Sequence, residues 1–126
     1  MNFEHVALNV SEPVAMAKWY EEHLGLEIVN ALDETPYTRF LRDSDGNMML
    51  EIYSNPPEMV PNYADMDPLI LHIAFESENP REDGEELLKA GAALVSEKET
   101  EDGSHFVMLR DPWGLPLQLA RRGSAF

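Results

Sequence analysis

Cysteine is missing from the 126 residues of this sequence. Its absence excludes disulfide bonds, thiolate metal ligands, a cysteine nucleophile and a sulfur redox switch. Basic residues are scarce as well, since nine Lys and Arg stand against 24 Asp and Glu and give a formal net charge of −15. Such a charge repels nucleic acid and anionic lipid, because binding to either begins when basic side chains neutralise phosphate. We therefore expect no nucleic-acid partner.

Long hydrophobic runs are also missing. No apolar stretch approaches the roughly 18 residues needed to cross a bilayer, and the first residues lack the basic and then apolar pattern of a secretory signal. Without a Gly-rich phosphate loop, a G-x-S-x-G motif or a dinucleotide fingerprint, the sequence does not support nucleotide-dependent chemistry. Apolar residues make up 44% and charged residues 26% of the chain, which is a usual globular composition. We expect one domain over residues 1–126, in a cytoplasmic protein with no membrane partner.

The sequence contains an internal repeat. Hydrophobic periodicity and Pro- or Gly-marked ends predict the order β-α-β-β-β twice, over residues 1–54 and 69–121. The connector between the copies holds four of the nine prolines. Predicted strands cover residues 3–10, 26–32, 38–41, 48–53, 69–75, 94–98, 105–110 and 115–120, and predicted helices cover residues 14–24 and 80–90.

Polar and turn residues recur between the two copies at displacements of 67 or 68 positions. The matched pairs are His5 and His72, Pro13 and Pro80, Arg42 and Arg110, Asp43 and Asp111, and Gly46 and Gly114. Matches of His, Pro, Arg-Asp and Gly are stronger evidence than matches of apolar residues. We therefore predict two copies of one α+β supersecondary unit.

Each copy begins its first strand with a His and carries a carboxylate or amide in the middle of its last strand. The spacing is 46 positions in both copies, from His5 to Glu51 and from His72 to Gln118. Apolar neighbours flank Glu51 and Gln118, so strand alternation turns both polar side chains away from the helix-packed face. Imidazole and carboxylate suit Zn, Ni, Co, Mn or Fe(II), and an amide oxygen can fill a further position. If the two sheets surround a common cavity, these four residues form a divalent-metal site.

The sequence resembles the vicinal oxygen chelate superfamily, the glyoxalase I and bleomycin-resistance fold, over nearly its whole length. The resemblance rests on HVALNV at 5–10, WYEEHLGL at 19–26, LEI at 50–52, HIAF at 72–75 and DPWGLPLQL at 111–119. In that family, paired βαβββ modules form an open barrel-like cavity that dimerisation often completes. Metal is commonly held at the positions that match His5, Glu51, His72 and Gln118. The resemblance thus implies a homodimer with a small-molecule substrate.

Gln118 is where the sequence departs from glyoxalase I, which typically carries Glu there and uses that carboxylate to move the substrate proton. An amide has no basic lone pair near neutral pH and cannot act as that base. We predict a glyoxalase-like, metal-dependent lyase or isomerase for a small oxygenated substrate, with Glu51 as metal ligand and general base. Two alternatives stay open: a metal-free protein that sequesters a drug or ligand, and an Fe(II)-dependent dioxygenase.

Three further residues have more than one interpretation. His105 shares strand parity with Val107 and Leu109, and its side chain faces either the cavity or solvent. Arg39 and Arg42 flank a strand and are either cavity residues for a substrate carboxylate or ordinary surface charges. The surface interpretation is the better expectation for both arginines.

Overall fold

The computed structural model describes residues 1–47 and 49–126. Two compact units divide the chain, Met1–Pro61 and Asn62–Phe126, and each contains one β-α-β-β-β module. The first consists of β1 (Val6–Asn9), α1 (Pro13–Leu24), β2 (Glu27–Ala31), β3 (Arg39–Arg42) and β4 (Met49–Tyr53). The second consists of β5 (Ile73–Glu76), α2 (Pro80–Lys89), β6 (Ala93–Glu99), β7 (His105–Arg110) and β8 (Pro116–Arg121). The α+β class and the repeated module are confirmed, and the single domain stays a prediction.

Each module forms its own four-stranded sheet, with the orders β1-β4-β3-β2 and β5-β8-β7-β6. The first and last strands of each module pair in parallel, whereas the remaining neighbours are antiparallel. Both sheets are open, with an edge strand on either side, and neither is closed into a barrel. The helix that follows the first strand covers one face of its sheet and leaves the other face to be lined by the alternate residues.

The two parallel strand pairs have the same register. Ala7 pairs with Glu51 in the first sheet, and Ala74 pairs with Gln118 in the second. His5 and His72 each precede the paired alanine by two residues and therefore share its side of the sheet. We call this side of each sheet the polar face. Glu51 and Gln118, which are equally spaced from their histidines in the sequence, therefore occupy equivalent positions in the two sheets.

The opposite face of each sheet packs on its helix. In the second unit the backbone of α2 approaches β7 so closely that a Cβ on Gly84 would lie 3.2 Å from Val107 Cγ1. Apolar side chains of the strands fill both cores, as their alternation predicts. The buried core of the first unit includes Leu8, Met16, Ala17, Trp19, Tyr20, Leu41, Leu50 and Ile52. That of the second includes Leu87, Val107, Leu109, Leu115, Leu117 and Leu119.

Both helices begin and end close to the predicted positions. Each starts with a proline. This costs no hydrogen bond, because backbone N–H groups in the first turn have no acceptor within the helix. Helix α1 ends at Gly25, which adopts the left-handed conformation and donates its N–H to the Tyr20 carbonyl. Gly91, also at positive φ, follows α2. No described helix has the length and apolar character needed to span a membrane.

The strand bounds differ from prediction in the first strand of each module. The predicted strand 69–75 begins only at Ile73, because Asp67 folds the preceding residues into a turn. Its carboxylate accepts from the N–H of Leu69 at 2.9 Å, and its carbonyl accepts from the N–H of Ile70 at 2.9 Å. His72 therefore lies just before β5 rather than in it. His5 likewise lies just before β1, which begins at Val6. The predicted strand 48–53 is observed from residue 49, and Met48 lies outside the described residues.

Candidate functional site

His5 and Glu51 lie next to each other on the polar face of the first sheet. His5 Nε2 is 3.1 Å from Glu51 Oε2, and the side chains are 36% and 20% exposed. The parallel pairing of β1 with β4 produces this contact, because Ala7 is opposite Glu51 and His5 projects from the same side two residues earlier. Leu50 and Ile52, on either side of Glu51, are buried on the helix-packed face. The strand-parity argument for this pair is confirmed.

The ring of His5 is oriented by two neighbours. Its Nδ1 is hydrogen-bonded to the Glu4 carboxylate, which can only accept, so Nδ1 carries the proton. Phe40 packs against the ring in an edge-on arrangement, with centroids 6.0 Å apart and planes at 81°. The hydrogen bond with Glu4 raises the pKa of His5, and the negative charges of Glu4 and Glu51 act in the same direction against the effect of burial. Nε2 is left facing the Glu51 carboxylate.

Gln118 lies on the polar face of the second sheet, His72 directly precedes β5, and both side chains are half-buried. His72 Nδ1 lies 2.8 Å from the Pro68 carbonyl oxygen. Because a carbonyl can only accept, Nδ1 donates its proton there and Nε2 keeps a lone pair in the neutral ring. Met108 on β7 pairs with Gln118 on its other side. The second unit therefore offers an imidazole nitrogen and an amide oxygen.

The donor chemistry of these residues fits a divalent cation. Histidines that bind metals usually donate one ring N–H to a carboxylate or a carbonyl, which fixes the ring and directs the other nitrogen at the ion. His5 with Glu4 and His72 with Pro68 both have this arrangement. The structure brings His5 and Glu51 into contact, whereas His72 and Gln118 belong to the other compact unit. Within the described residues, no group of three or more His, Asp and Glu is gathered so as to hold a metal, and the four-ligand site stays a prediction.

Three participants in this arrangement were not identified from the sequence: Glu4, Phe40 and the Pro68 carbonyl. Phe40 could have been identified from the predicted pairing of β3 with β4, which places it directly opposite Glu51. Glu4 and Pro68 had none, since ring orientation depends on the path of the chain just before each strand. Asp67 sets that path in the second unit.

His105 faces neither the polar face nor solvent. It is buried on the helix-packed side of β7, with Nε2 3.4 Å from Glu97 Oε1 and Nδ1 3.7 Å from Glu99 Oε1. Both interpretations offered for it are therefore wrong. Its parity with Val107 and Leu109 assigned it to the correct face, because these two residues are core residues.

The two arginines of the first unit have different roles. Arg39 is buried, and its Nη1 donates to the carbonyl of Leu32 at 2.6 Å and to that of Tyr37 at 3.2 Å. It holds the β2–β3 loop, so the expectation of an ordinary surface charge is wrong for Arg39. Arg42 is partly exposed and pairs with Glu27 at 2.6 Å, as expected of a surface charge.

Comparison with known proteins shows the same fold in several bacterial proteins. A family model described as Glyoxalase/Bleomycin resistance protein/Dioxygenase superfamily matches residues 2–119. A glyoxalase family protein from Bacillus cereus is 19% identical with a TM-score of 0.80, and the match covers 97% of this chain and 94% of that one. One from Enterococcus faecalis is 28% identical with a TM-score of 0.68, over 95% of this chain and 97% of that one.

A third similar structure is that of an antibiotic binding protein from Streptomyces sp. CB03234. It is 19% identical with a TM-score of 0.69, and the match covers 97% of this chain and 98% of that one. Among curated protein sequences, none matches this chain. The similar structures therefore include both proteins described as glyoxalase family members and one described as binding an antibiotic.

Proposed function

Because the chain belongs to the Glyoxalase/Bleomycin resistance protein/Dioxygenase superfamily, we propose that it is a glyoxalase-like, metal-dependent lyase or isomerase. Its substrate is a small oxygenated molecule, and the metal is a divalent ion such as Zn, Ni, Co, Mn or Fe(II). His5, Glu51, His72 and Gln118 supply the ligands. The observation that carries the proposal is the 3.1 Å approach of His5 Nε2 to Glu51 Oε2 on the polar face. The equal register of His72 and Gln118 supports the second half of the ligand set.

A bound divalent ion would supply Lewis acidity and would align adjacent substrate oxygens. Proton transfer then falls to Glu51, whose carboxylate oxygens accept a proton, whereas the Gln118 amide only forms hydrogen bonds. Glu4 and the Pro68 carbonyl engage Nδ1 of the two imidazole rings, so Nε2 of each ring, which in His5 faces Glu51, is the nitrogen that would bind the ion. Phe40 packs edge-on against the His5 ring and helps to fix its orientation.

Metal titration of the purified, metal-free protein tests this proposal. We expect Co(II) or Zn(II) to bind with a stoichiometry of one per chain, followed by calorimetry and by the visible spectrum of Co(II). The variants His5→Ala, Glu51→Ala and His72→Ala should each weaken binding by at least about 100-fold, since loss of a ligand costs more than loss of its supporting hydrogen bond. His23→Ala is the matched control, because His23 is an exposed histidine at the end of α1.

The His72→Ala variant is the decisive one. If it binds metal as tightly as the wild type while His5→Ala does not, then the two units do not share one ion and the ligand set is wrong. If none of the three variants changes the affinity, the metal is bound elsewhere.

A second function is supported by the antibiotic binding protein among the similar structures. In this alternative the chain sequesters a drug or another ligand without metal and performs no reaction. Bleomycin added to the metal-free protein would then quench tryptophan fluorescence at micromolar concentration, equally in the wild type and in His5→Ala. Aerobic and anaerobic assays of the Fe(II)-loaded protein test the dioxygenase alternative, which requires activity that depends on oxygen.

A further inference from the structure

Among the described residues, four basic side chains have no acidic partner, and two of the four, Lys98 and Arg122, donate to no backbone carbonyl either. Each of Lys18, Arg42, Arg81 and Lys89 lies within 4.0 Å of a carboxylate. Arg110 donates instead to backbone carbonyls, among them that of Tyr63 at 2.8 Å. Over residues 1–47 and 49–126, no carboxylate is within ion-pair distance of Lys98 or Arg122. The chain has 24 acidic residues. That Lys98 and Arg122 pair with none of them therefore calls for an explanation.

Lys98 and Arg122 lie beside the same aromatic residue, Phe106. Lys98 on β6 pairs directly with Phe106 on β7, so their side chains project from the same face. Arg122 follows β8, and its Cζ lies 4.9 Å from the centroid of the Phe106 ring. The same atom lies 4.9 Å from the centroid of the Phe126 ring. The guanidinium is therefore within cation–π distance of two phenyl rings, that of the half-buried Phe106 and that of the exposed Phe126.

This cluster of Lys98, Phe106 and Arg122 lies on the polar face of the second sheet. Met108 pairs with Gln118, and Phe106 is two residues from Met108, so Phe106 projects from the side that carries Gln118. One row across the sheet reads Glu76, Ala120, Phe106 and Lys98. Glu76, the carboxylate in that row, lies on β5 and is separated from Phe106 on β7 by strand β8. Glu97 and Glu99, which flank Lys98 in the chain, project from the opposite face beside His105.

A guanidinium that contacts an aromatic ring can still bind an anion. Stacking uses the faces of the planar group and leaves its N–H edges directed outward, where they match the two oxygens of a carboxylate. Contact with the half-buried ring of Phe106 restricts the rotamers of the arginine before any ligand arrives, which lowers the entropy cost of binding. Lys98 adds a second positive charge on β6, directly opposite Phe106 and on the other side of β7 from Arg122.

We propose that Arg122 and Lys98 bind the carboxylate of a small anionic substrate. This inference rests on the proposed function, since the other oxygens of that substrate are those presented to the metal ligands, and it narrows the substrate class to small oxygenated carboxylates. A single carboxylate is compatible with the net charge of −15, whereas a polyphosphate would be repelled at long range. Phe106 is a positioning residue that acts through Arg122.

Titration of the ¹⁵N-labelled, metal-free protein with lactate, followed by NMR, tests the proposal. We expect saturable shifts of the amide signals of Lys98, Phe106 and Arg122, and none with methyl lactate, which lacks the charge. Arg122→Gln should weaken lactate binding about tenfold, the usual effect of losing a charge-assisted hydrogen bond. Phe106→Leu keeps both cations and should weaken it severalfold by freeing the arginine.

Arg121→Gln is the matched control. Arg121 pairs with His105 on the helix-packed side and donates to the Glu78 carbonyl at 3.3 Å, so this variant removes the same charge from the other face. Equal weakening by Arg121→Gln and Arg122→Gln would overturn the proposal, because only the net charge would then matter. Equal binding of methyl lactate, or tighter binding of inorganic phosphate than of lactate, would also overturn it.

Metal titration of Arg122→Gln separates this inference from the proposed function. We expect its metal affinity to equal that of the wild type. Tight metal binding together with no lactate shifts in the wild type would overturn only the carboxylate site. Absent metal binding with lactate shifts that depend on Arg122 would overturn only the metal site.

Discussion

Gly46 and Gly114 occupy the same turn in the two modules but differ in their surroundings. Both donate their N–H to the carbonyl of an aspartate three residues earlier, and both have positive φ, of 72° and 88°. A Cβ on Gly46 would have Arg42 Cδ at 3.6 Å as its nearest neighbour. A Cβ on Gly114 would lie 2.7 Å from the backbone nitrogen of Ala64. The first glycine serves backbone conformation alone, whereas the second also serves close packing.

We therefore expect Gly46→Ala to lower the free energy of unfolding by about 1–2 kcal/mol, the cost of the left-handed conformation. Gly114→Ala should cost that amount and several kcal/mol more, because the backbone of Ala64 has to move. Urea unfolding followed by circular dichroism measures both. Equal losses in the two variants would contradict the close approach of Ala64.

At the same scale, we expect Gln118 to limit the glyoxalase I reaction. Its amide cannot take a proton, so we expect the wild type with Ni, Co or Zn to turn over the methylglyoxal–glutathione hemithioacetal poorly. Gln118→Glu should raise the activity by about 100-fold, within the range contributed by a general base. Efficient turnover by the wild type would show that Gln118 does not limit the reaction.

At the scale of elements, a polar contact ties α2 to β6. Arg81 on the helix donates to both oxygens of Glu97, from Nε at 2.7 Å and from Nη2 at 3.0 Å. His105 approaches the same carboxylate from β7. These hydrogen bonds, first of all those from Arg81, lower the pKa of Glu97 below its ordinary value of 4.5. The group stabilises the fold fully above that ordinary value and ceases to do so as the pH falls through the lower, folded value.

The variant Arg81→Gln should therefore raise the pKa of Glu97 toward its ordinary value and reduce the loss of stability on acidification below about pH 4.5. NMR titration of the Glu97 carboxyl carbon measures the pKa, and urea unfolding at two pH values measures the stability. Lys89→Gln is the control, since Lys89 lies on the same helix and pairs with Glu86 at 2.8 Å. An unchanged pKa in Arg81→Gln would show that Arg81 does not hold Glu97 in solution.

At the scale of the whole molecule, several large apolar side chains remain exposed. Leu69 is 84% and Ile70 is 74% exposed, next to each other before β5. Members of the family that the sequence resembles often complete their cavity by dimerisation, and a second copy of this chain would cover such residues. We propose that the protein is a homodimer.

Sedimentation equilibrium at high micromolar concentration should accordingly give about twice the chain mass of 14.3 kDa. Replacing Leu69 and Ile70 together by Ser should weaken the dimer, because burial of these side chains would drive association. Met59→Ser is the control, since Met59 is also 70% exposed but lies in the connector. A strict monomer at these concentrations would contradict the dimer.

The amino-acid sequence by itself determined the repeated module, the ends of both helices and the shared face of His5 and Glu51. Each follows from interactions over short distances in the chain: strand alternation, the fixed φ of proline and the left-handed conformation of glycine. The equal 46-residue spacing in the two copies predicted that the two parallel strand pairs have the same register. These features could be predicted from the sequence because each depends on residues that are close together in the chain.

Only the tertiary structure decided how the polar side chains are partnered. Arg39 turns inward to backbone carbonyls, and His105 is buried on β7 beside Glu97 of β6. The Arg122 guanidinium lies 4.9 Å from the ring centroids of both Phe106 and Phe126. Alternation assigns a side chain to a face but does not say which neighbours from other segments reach it. Those partners depend on long side chains whose rotamers are selected by packing between strands and loops distant in sequence, and that selection exists only once the chain has folded.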